Sequence, residues 1–160
     1  MSEIVHLERA ECLELLARAE FGRIAVNVSG DAPAIRPLNY VFDERSQSIV
    51  FRTAYGSKFH GLLKSAKASF EIDGVDSPRR SGWSVVVVGV TEVITNAIER
   101  RRLEGLGLEP WAPGPKPHWV RLRAGTVSGR RIVVDRSHEA AAIGGHEQPA
   151  ISAGTKPAVQ

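Results

Sequence analysis

Five β-branched valines close together in one segment set the first constraint on this chain. The stretch 83–95 holds Val85, Val86, Val87, Val88 and Val90, and unbroken apolar runs of this kind belong to strands covered on both sides. A strand with water on one side alternates apolar and polar residues instead. The expectation is therefore the closed wall of a small barrel, and the rest of the sequence must supply its other strands.

It does so in order. A helix is expected over 8–19, where Leu13, Leu16 and Ala17 repeat at three-and-four spacing beside Glu11, Glu14 and Arg18. Period two takes over in 21–28, Ser29-Gly30-Asp31 turns the chain, and 34–42 and 48–53 follow as strands of an antiparallel meander. Ser57 stands where an N-cap would, ahead of a helix with Phe59, Leu62 and Leu63 on one face. Strands follow at 67–73, 83–95, 118–123 and 126–134. A helix capped by Asn96 spans 96–106, and a Pro-rich connection covers 110–117. With 160 residues and 42% apolar content, one core is expected over 1–134. Segment 135–160, rich in Ala, Gly and Pro without a sustained apolar period, reads as a flexible tail.

Composition excludes several classes. Lys and Arg total 21 against 18 Asp and Glu, a net +3 with no aromatic ladder among the basic residues, so no nucleic-acid partner is expected. No run of eighteen apolar residues and no leader pattern is present, so neither membrane nor export is expected. Cys12 is the sole cysteine, which fits a cytoplasmic setting and an apolar place on the first helix. His6, His60, His118, His138 and His146 lack ligand spacing, so no metal site is expected, and His60 reads as a surface residue. Arg121, Arg123 and Arg130 read as solvated strand faces.

The sequence lacks a nucleophile elbow, a P-loop and a GxGxxG fingerprint, which leaves anion binding as the chemistry to weigh. In FRTAYGSKFHGLL a strand passes through a short turn into a helix headed by Ser57 and Lys58. That arrangement reads either as a plain capped helix or as a phosphate cradle, to which Arg36 and Arg52 on neighbouring meander strands could add guanidinium donors. RPLNYVF, from Arg36 to Phe42, supplies Asn39 and Tyr40 close by.

These residues resemble the pyridoxamine 5'-phosphate oxidase-like flavoproteins, whose fold is an FMN-binding split barrel. Thr53-Ala54-Tyr55-Gly56-Ser57-Lys58 is similar to the turn that holds the FMN phosphate in that family, with its paired Arg-Lys shortened here to Lys58. Arg36 looks like the arginine opening the family's FMN-contact strand, and Gly82-Trp83-Ser84-Val85 looks like the start of its long strand across the dimer interface. Trp119-Val120-Arg121 departs from the substrate-binding pattern of the vitamin-making oxidases, so the closer likeness is to short actinobacterial members that use FMN or a deazaflavin.

The resemblance implies a mostly β, six-stranded antiparallel split barrel with short flanking helices, forming a homodimer. It further implies FMN contacts along Arg36, Pro37, Leu38 and Asn39, along Phe51, Arg52 and Thr53, at Ser57 and Lys58, and at Trp83 and Ser84. FMN needs an anion site, a polar edge and an apolar wall, and Ser57 with Lys58, Asn39 with Thr53, and Trp83 with Val85 are of those types. Trp83 reads as a core or dimer contact ahead of a flavin stack, and Trp111 either covers the flavin ring or pins its own loop. The implied chemistry is hydride or electron transfer to a small molecule, with no acid or base identifiable. A non-catalytic flavin-sequestering protein, and a barrel holding deazaflavin or haem, are the alternatives.

Overall fold

The computed structural model describes residues 2–54 and 58–134. Nine strands form one antiparallel sheet among the described residues: β1 (Ser2–Leu7), β2 (Phe21–Val26), β3 (Ala34–Asn39), β4 (Val41–Asp43), β5 (Ser48–Thr53), β6 (Lys67–Asp76), β7 (Ser81–Ile94), β8 (His118–Arg123) and β9 (Thr126–Val134). Helices α1 (Arg9–Arg18), α2 (Lys58–Leu62) and α3 (Ala97–Glu104) lie between them. The mostly β, split-barrel expectation holds, but the strand number is nine and not six: the sequence pattern already gives seven strands, and two features add the others. Ser2–Leu7 pairs with β9 in full register, and the stretch read as one strand over 34–42 is interrupted at Tyr40.

The sheet runs β3-β2-β6-β7-β8-β5-β4, with β9 paired to β7 and to β1. Strands β3 and β4, adjacent in sequence, therefore occupy opposite edges of this path. The sheet must curl until its two edges meet at Tyr40, a barrel left unzipped along one seam. Tyr40 is buried there, donates its hydroxyl to the Leu16 carbonyl of α1 at 2.7 Å and meets Phe70 edge-on. The expected meander is corrected by this order: β5 pairs with β4 and β8, not with β3.

Strand β7 binds two successive partners. Through Val88 it pairs with β9, and from Thr91 to Ile94 with β8. Gly89 marks the change, because a Cβ there would collide with the Arg123 carbonyl. Only Val85 and Val87 of the valine run are fully buried, whereas Val86 and Val88 are half-buried and Val90 is exposed. The strands covered on both faces are β5 and β8 instead. Ile49 and Phe51 point into the barrel core with Leu16, Ile24, Phe70 and Leu122, while Val50 points outward into a second core with Ile94, Leu103, Leu108 and Trp119 under α3.

A chain of ion pairs fastens α3. Arg102 grips both carboxylate oxygens of Asp43, at 3.1 and 2.6 Å, and also Glu99, which in turn pairs with Arg121. Arg121 is 8% exposed and further bonded to Glu92, so it is a buried ion-pair residue and not a solvated strand face. Asn96 caps α3 as expected, accepting from the Glu99 N–H. The tail 135–160 lies outside the described residues.

Candidate functional site

Where the seam of the barrel opens, a cleft of about 230 Å3 lies between β3, the end of β5, α2 and the connection from α3 to β8. Arg36, Pro37, Leu38 and Asn39 line it from β3, and Arg52, Thr53 and Ala54 from β5. Arg36 and Arg52 thus share one cavity because the curled sheet brings its edges together, although their strands are not hydrogen-bonded neighbours. Phe59 of α2 and Leu108, Pro110, Ala112 and Lys116 of the connection complete the wall. No carboxylate lines it among the described residues, and Arg36, Arg52 and Lys116 give it a wholly cationic charge set.

Each cation is held by weak local contacts. Arg36 donates to the Ile35 carbonyl at 3.0 Å and lies over the Phe59 ring, while Arg52 donates from Nε to the Lys116 carbonyl at 2.8 Å and lies over Trp119. Lys116 donates from Nζ to the Pro113 carbonyl at 3.0 Å. Concave walls of one sign with apolar lining raise the local potential and favour an anion.

The other expected site residues divide. Asn39 uses its whole amide on the connection, donating to the Glu109 carbonyl at 2.7 Å and accepting from the Trp111 N–H at 3.1 Å. Trp111 stacks flat on Phe21 at 5.5 Å, so in this state it pins its own loop. Phe51 is a fully buried core residue and does not line the cleft, which β5 reaches only with its last residues, Arg52 and Thr53, and with Ala54 beyond them. Ser57 lies outside the described residues, and of Lys58 only its place at the start of α2 is described. That helix has five residues, too short for the summed peptide dipole of a long helix.

Trp83 and Ser84 stand in a second cleft of about 480 Å3, with Ile4, Gly74, Arg130 and Ile132 among its walls. The Trp83 indole rests on Gly74, where a Cβ would meet Nε1 at 2.5 Å. The residues expected to surround one ligand are therefore distributed over two cavities of the chain.

Sequence reasoning missed Lys116 and a histidine pair. His60, expected at the surface, is half-buried and stacks on His118 with centroids 4.1 Å apart, and its Nδ1 shares a 2.9 Å hydrogen bond with Thr53 Oγ1. Burial, then His118 and Lys64, hold its pKa below the ordinary value. The two residues are far apart in sequence and meet only because His118 lies opposite Thr53 in the β5–β8 register, which no local pattern announces. Among the described residues no group of three metal-ligating side chains occurs, and no helix is long and apolar enough to cross a membrane.

A family model described as pyridoxamine 5'-phosphate oxidase matches residues 8–131. An uncharacterised Mycobacterium tuberculosis protein, Rv0080, is 34% identical over 139 residues, spanning 83% of this chain and 88% of its own. The structure of an FAD binding protein from Mycobacterium smegmatis superposes with a TM-score of 0.71 at 31% identity, covering 82% of this chain and all of that one. An FAD-binding protein from Mesorhizobium loti does so at 0.64 and 25%, covering 80% and 97%.

Proposed function

We propose, since the chain belongs to the pyridoxamine 5'-phosphate oxidase family, that the cleft at the seam receives the phosphate end of a flavin and that the protein is a flavin-dependent oxidoreductase. The observation carrying this reading is the convergence of Arg36 and Arg52, with no lining carboxylate among the described residues, on a cavity whose remaining walls are mostly apolar. Guanidinium groups bind phosphate oxygens bidentately, and an apolar wall suits an isoalloxazine ring. The flavin would supply hydride or electron transfer to a small molecule, and the chain supplies binding and orientation.

Volume supports a second copy. The cleft is smaller than the roughly 300–1,000 Å3 of small-molecule sites, so it accommodates part of a mononucleotide. Ile4, Ile132, Gly82 and Val75 form one cross-strand row on the outer sheet face beside Trp83, with Ile4 61% and Val75 73% exposed. Such a row favours association, and we infer a homodimer in which the Trp83 cleft of one copy faces the flavin of the other. FMN is our reading of the flavin. The relatives described as FAD-binding favour FAD as the second reading.

The test is titration of the purified chain with FMN, FAD, riboflavin and haem, followed by visible absorbance and flavin fluorescence, with light scattering for mass. FMN bound more tightly than riboflavin by a dimer, and reduced by a nicotinamide or a reduced deazaflavin, is the expected result. Retention of flavin with no reduction by any donor would replace the enzyme with a sequestering protein, and no flavin binding would overturn the proposal.

A further inference from the structure

The connection from α3 to β8, residues 107–117, forms one wall of the cleft and is attached at three points. Leu108 is buried in the α3 core, the Asn39 amide holds Glu109 and Trp111, and Arg52 holds the Lys116 carbonyl. Two of its turns are made by glycines in the left-handed region, Gly107 at φ +73° and Gly114 at φ +89°, with nothing within 4 Å of a Cβ at either. Glycine carries no side-chain penalty there, so these are pivot positions in an otherwise Pro-rich strap.

Lys116 is the only cation contributed to the cleft by that strap. Its main chain already touches the site through Arg52, and its ammonium rests on the Pro113 carbonyl of the same strap. A neutral carbonyl is a weaker partner for an ammonium than a phosphate dianion. Among the described residues none of Arg36, Arg52 and Lys116 is in an ion pair, whereas Arg23, Arg102, Arg121 and Arg131 each are. Three like charges around one small cavity repel each other until an anion enters, and the exchange of Pro113 for that anion draws the strap inward.

We propose that Lys116 is an anion-binding residue of this cleft and that the strap 107–117 closes over a bound phosphate monoester through it. This rests on the flavin reading for the identity of the ester but not for its charge. Trp111, 63% exposed on a 42% exposed Phe21, is the contact that yields first when the strap moves.

Hydrogen exchange across 107–117 in the full chain tests this, with FMN, riboflavin and inorganic phosphate as separate probes and with Lys116→Ala and Lys116→Arg beside the parent. FMN is expected to slow exchange in the strap severalfold and riboflavin not to. Lys116→Ala should weaken FMN about tenfold or more while leaving riboflavin binding unchanged, and Lys116→Arg should restore most of the loss. Equal FMN affinity in parent and Lys116→Ala, or strap exchange unaltered by bound FMN, overturns the proposal. If the parent binds no flavin yet phosphate protects the strap, the flavin reading falls and the Lys116 assignment is supported. If neither FMN nor phosphate protects the strap, the assignment falls too.

Discussion

Replacing Arg102 with alanine probes the part of the molecule from which the strap departs. In the folded chain the Asp43 side chain is 3% exposed and both its oxygens are held by Arg102, with Ser46 donating a further bond. Truncating Arg102 leaves a buried carboxylate with one hydroxyl and a backbone N–H, whereas Glu99 keeps Arg121. Breaking a buried pair on one side costs about 3–5 kcal/mol. Arg102 is 23% exposed, so water can reach part of the gap and the lower end, about 3 kcal/mol, is expected. Urea denaturation followed by tryptophan fluorescence reads the loss, since Trp119 lies in the core that α3 covers. The pH dependence gives a second check with a definite sign. The Arg102 guanidinium holds the Asp43 carboxyl below its ordinary range, so the parent keeps this stabilisation at neutral pH and loses it as pH falls through the lowered value. Without Arg102, burial pushes the carboxyl upward, and acidification toward about pH 4 should narrow the gap between variant and parent. Asp43→Asn added to Arg102→Ala should recover part of the loss at neutral pH. A loss under about 1 kcal/mol, or no recovery by Asp43→Asn, refutes the reasoning.

Three further outcomes are expected. Arg36→Ala should weaken FMN roughly tenfold and leave riboflavin binding and the urea midpoint unchanged, because Arg36 is exposed and its proposed role is toward the phosphate; an equal effect on both flavins would remove it from the anion site. Gly89→Ala should destabilise by about 2–3 kcal/mol in the same urea assay, since the obstacle is the Arg123 backbone and not a side chain that can rotate away; a change under about 0.5 kcal/mol would contradict the close approach. Stability carried by His60 should be complete above the ordinary histidine range and decline as pH falls below about 6.5, because the unfolded chain takes up a proton that the pair with His118, near Lys64 and Thr53, resists; His60→Phe should flatten that part of the profile, and an unchanged slope would exclude His60 as its source.

The sequence made the strand types legible because period two and turn residues are local properties, as at 21–26, 48–53 and 118–123. Arg36, Asn39, Arg52 and Thr53, taken together from the sequence, line one cavity. Less legible was anything decided by pairing. Ser2–Leu7 is exposed along nearly its whole length, so it has no apolar face to announce it and is a strand only because β9 offers an edge. Arg121 looked like surface because nothing near it in sequence says that Glu92 and Glu99 will converge on it. The valine run misled in a more informative way: uninterrupted valines predicted cover on both sides, yet among the described residues Val86 and Val88 are only half-buried and Val90 is exposed.

That mismatch and the division of the expected flavin contacts over two cavities have a common physical origin. A sheet of this length curls until its edges approach, but β3 and β4 do not zip, because Tyr40 turns the chain from one edge to the other and anchors on α1 instead. The unzipped seam opens the Arg36–Arg52 cleft on one side of the molecule, and the outer face of β7, with its half-covered Val86 and Val88, stays open elsewhere, near the cleft that Trp83 lines from the strand's start. A sequence that needed only to close a barrel would gain little from Val86, Val88 and Val90, which the described residues leave half-buried or exposed while Val85 and Val87 fill the core, since exposed apolar rows promote association. In the proposed homodimer a second copy would be the missing cover, and one copy's seam and the other's β7 face would then bound a single ligand between them.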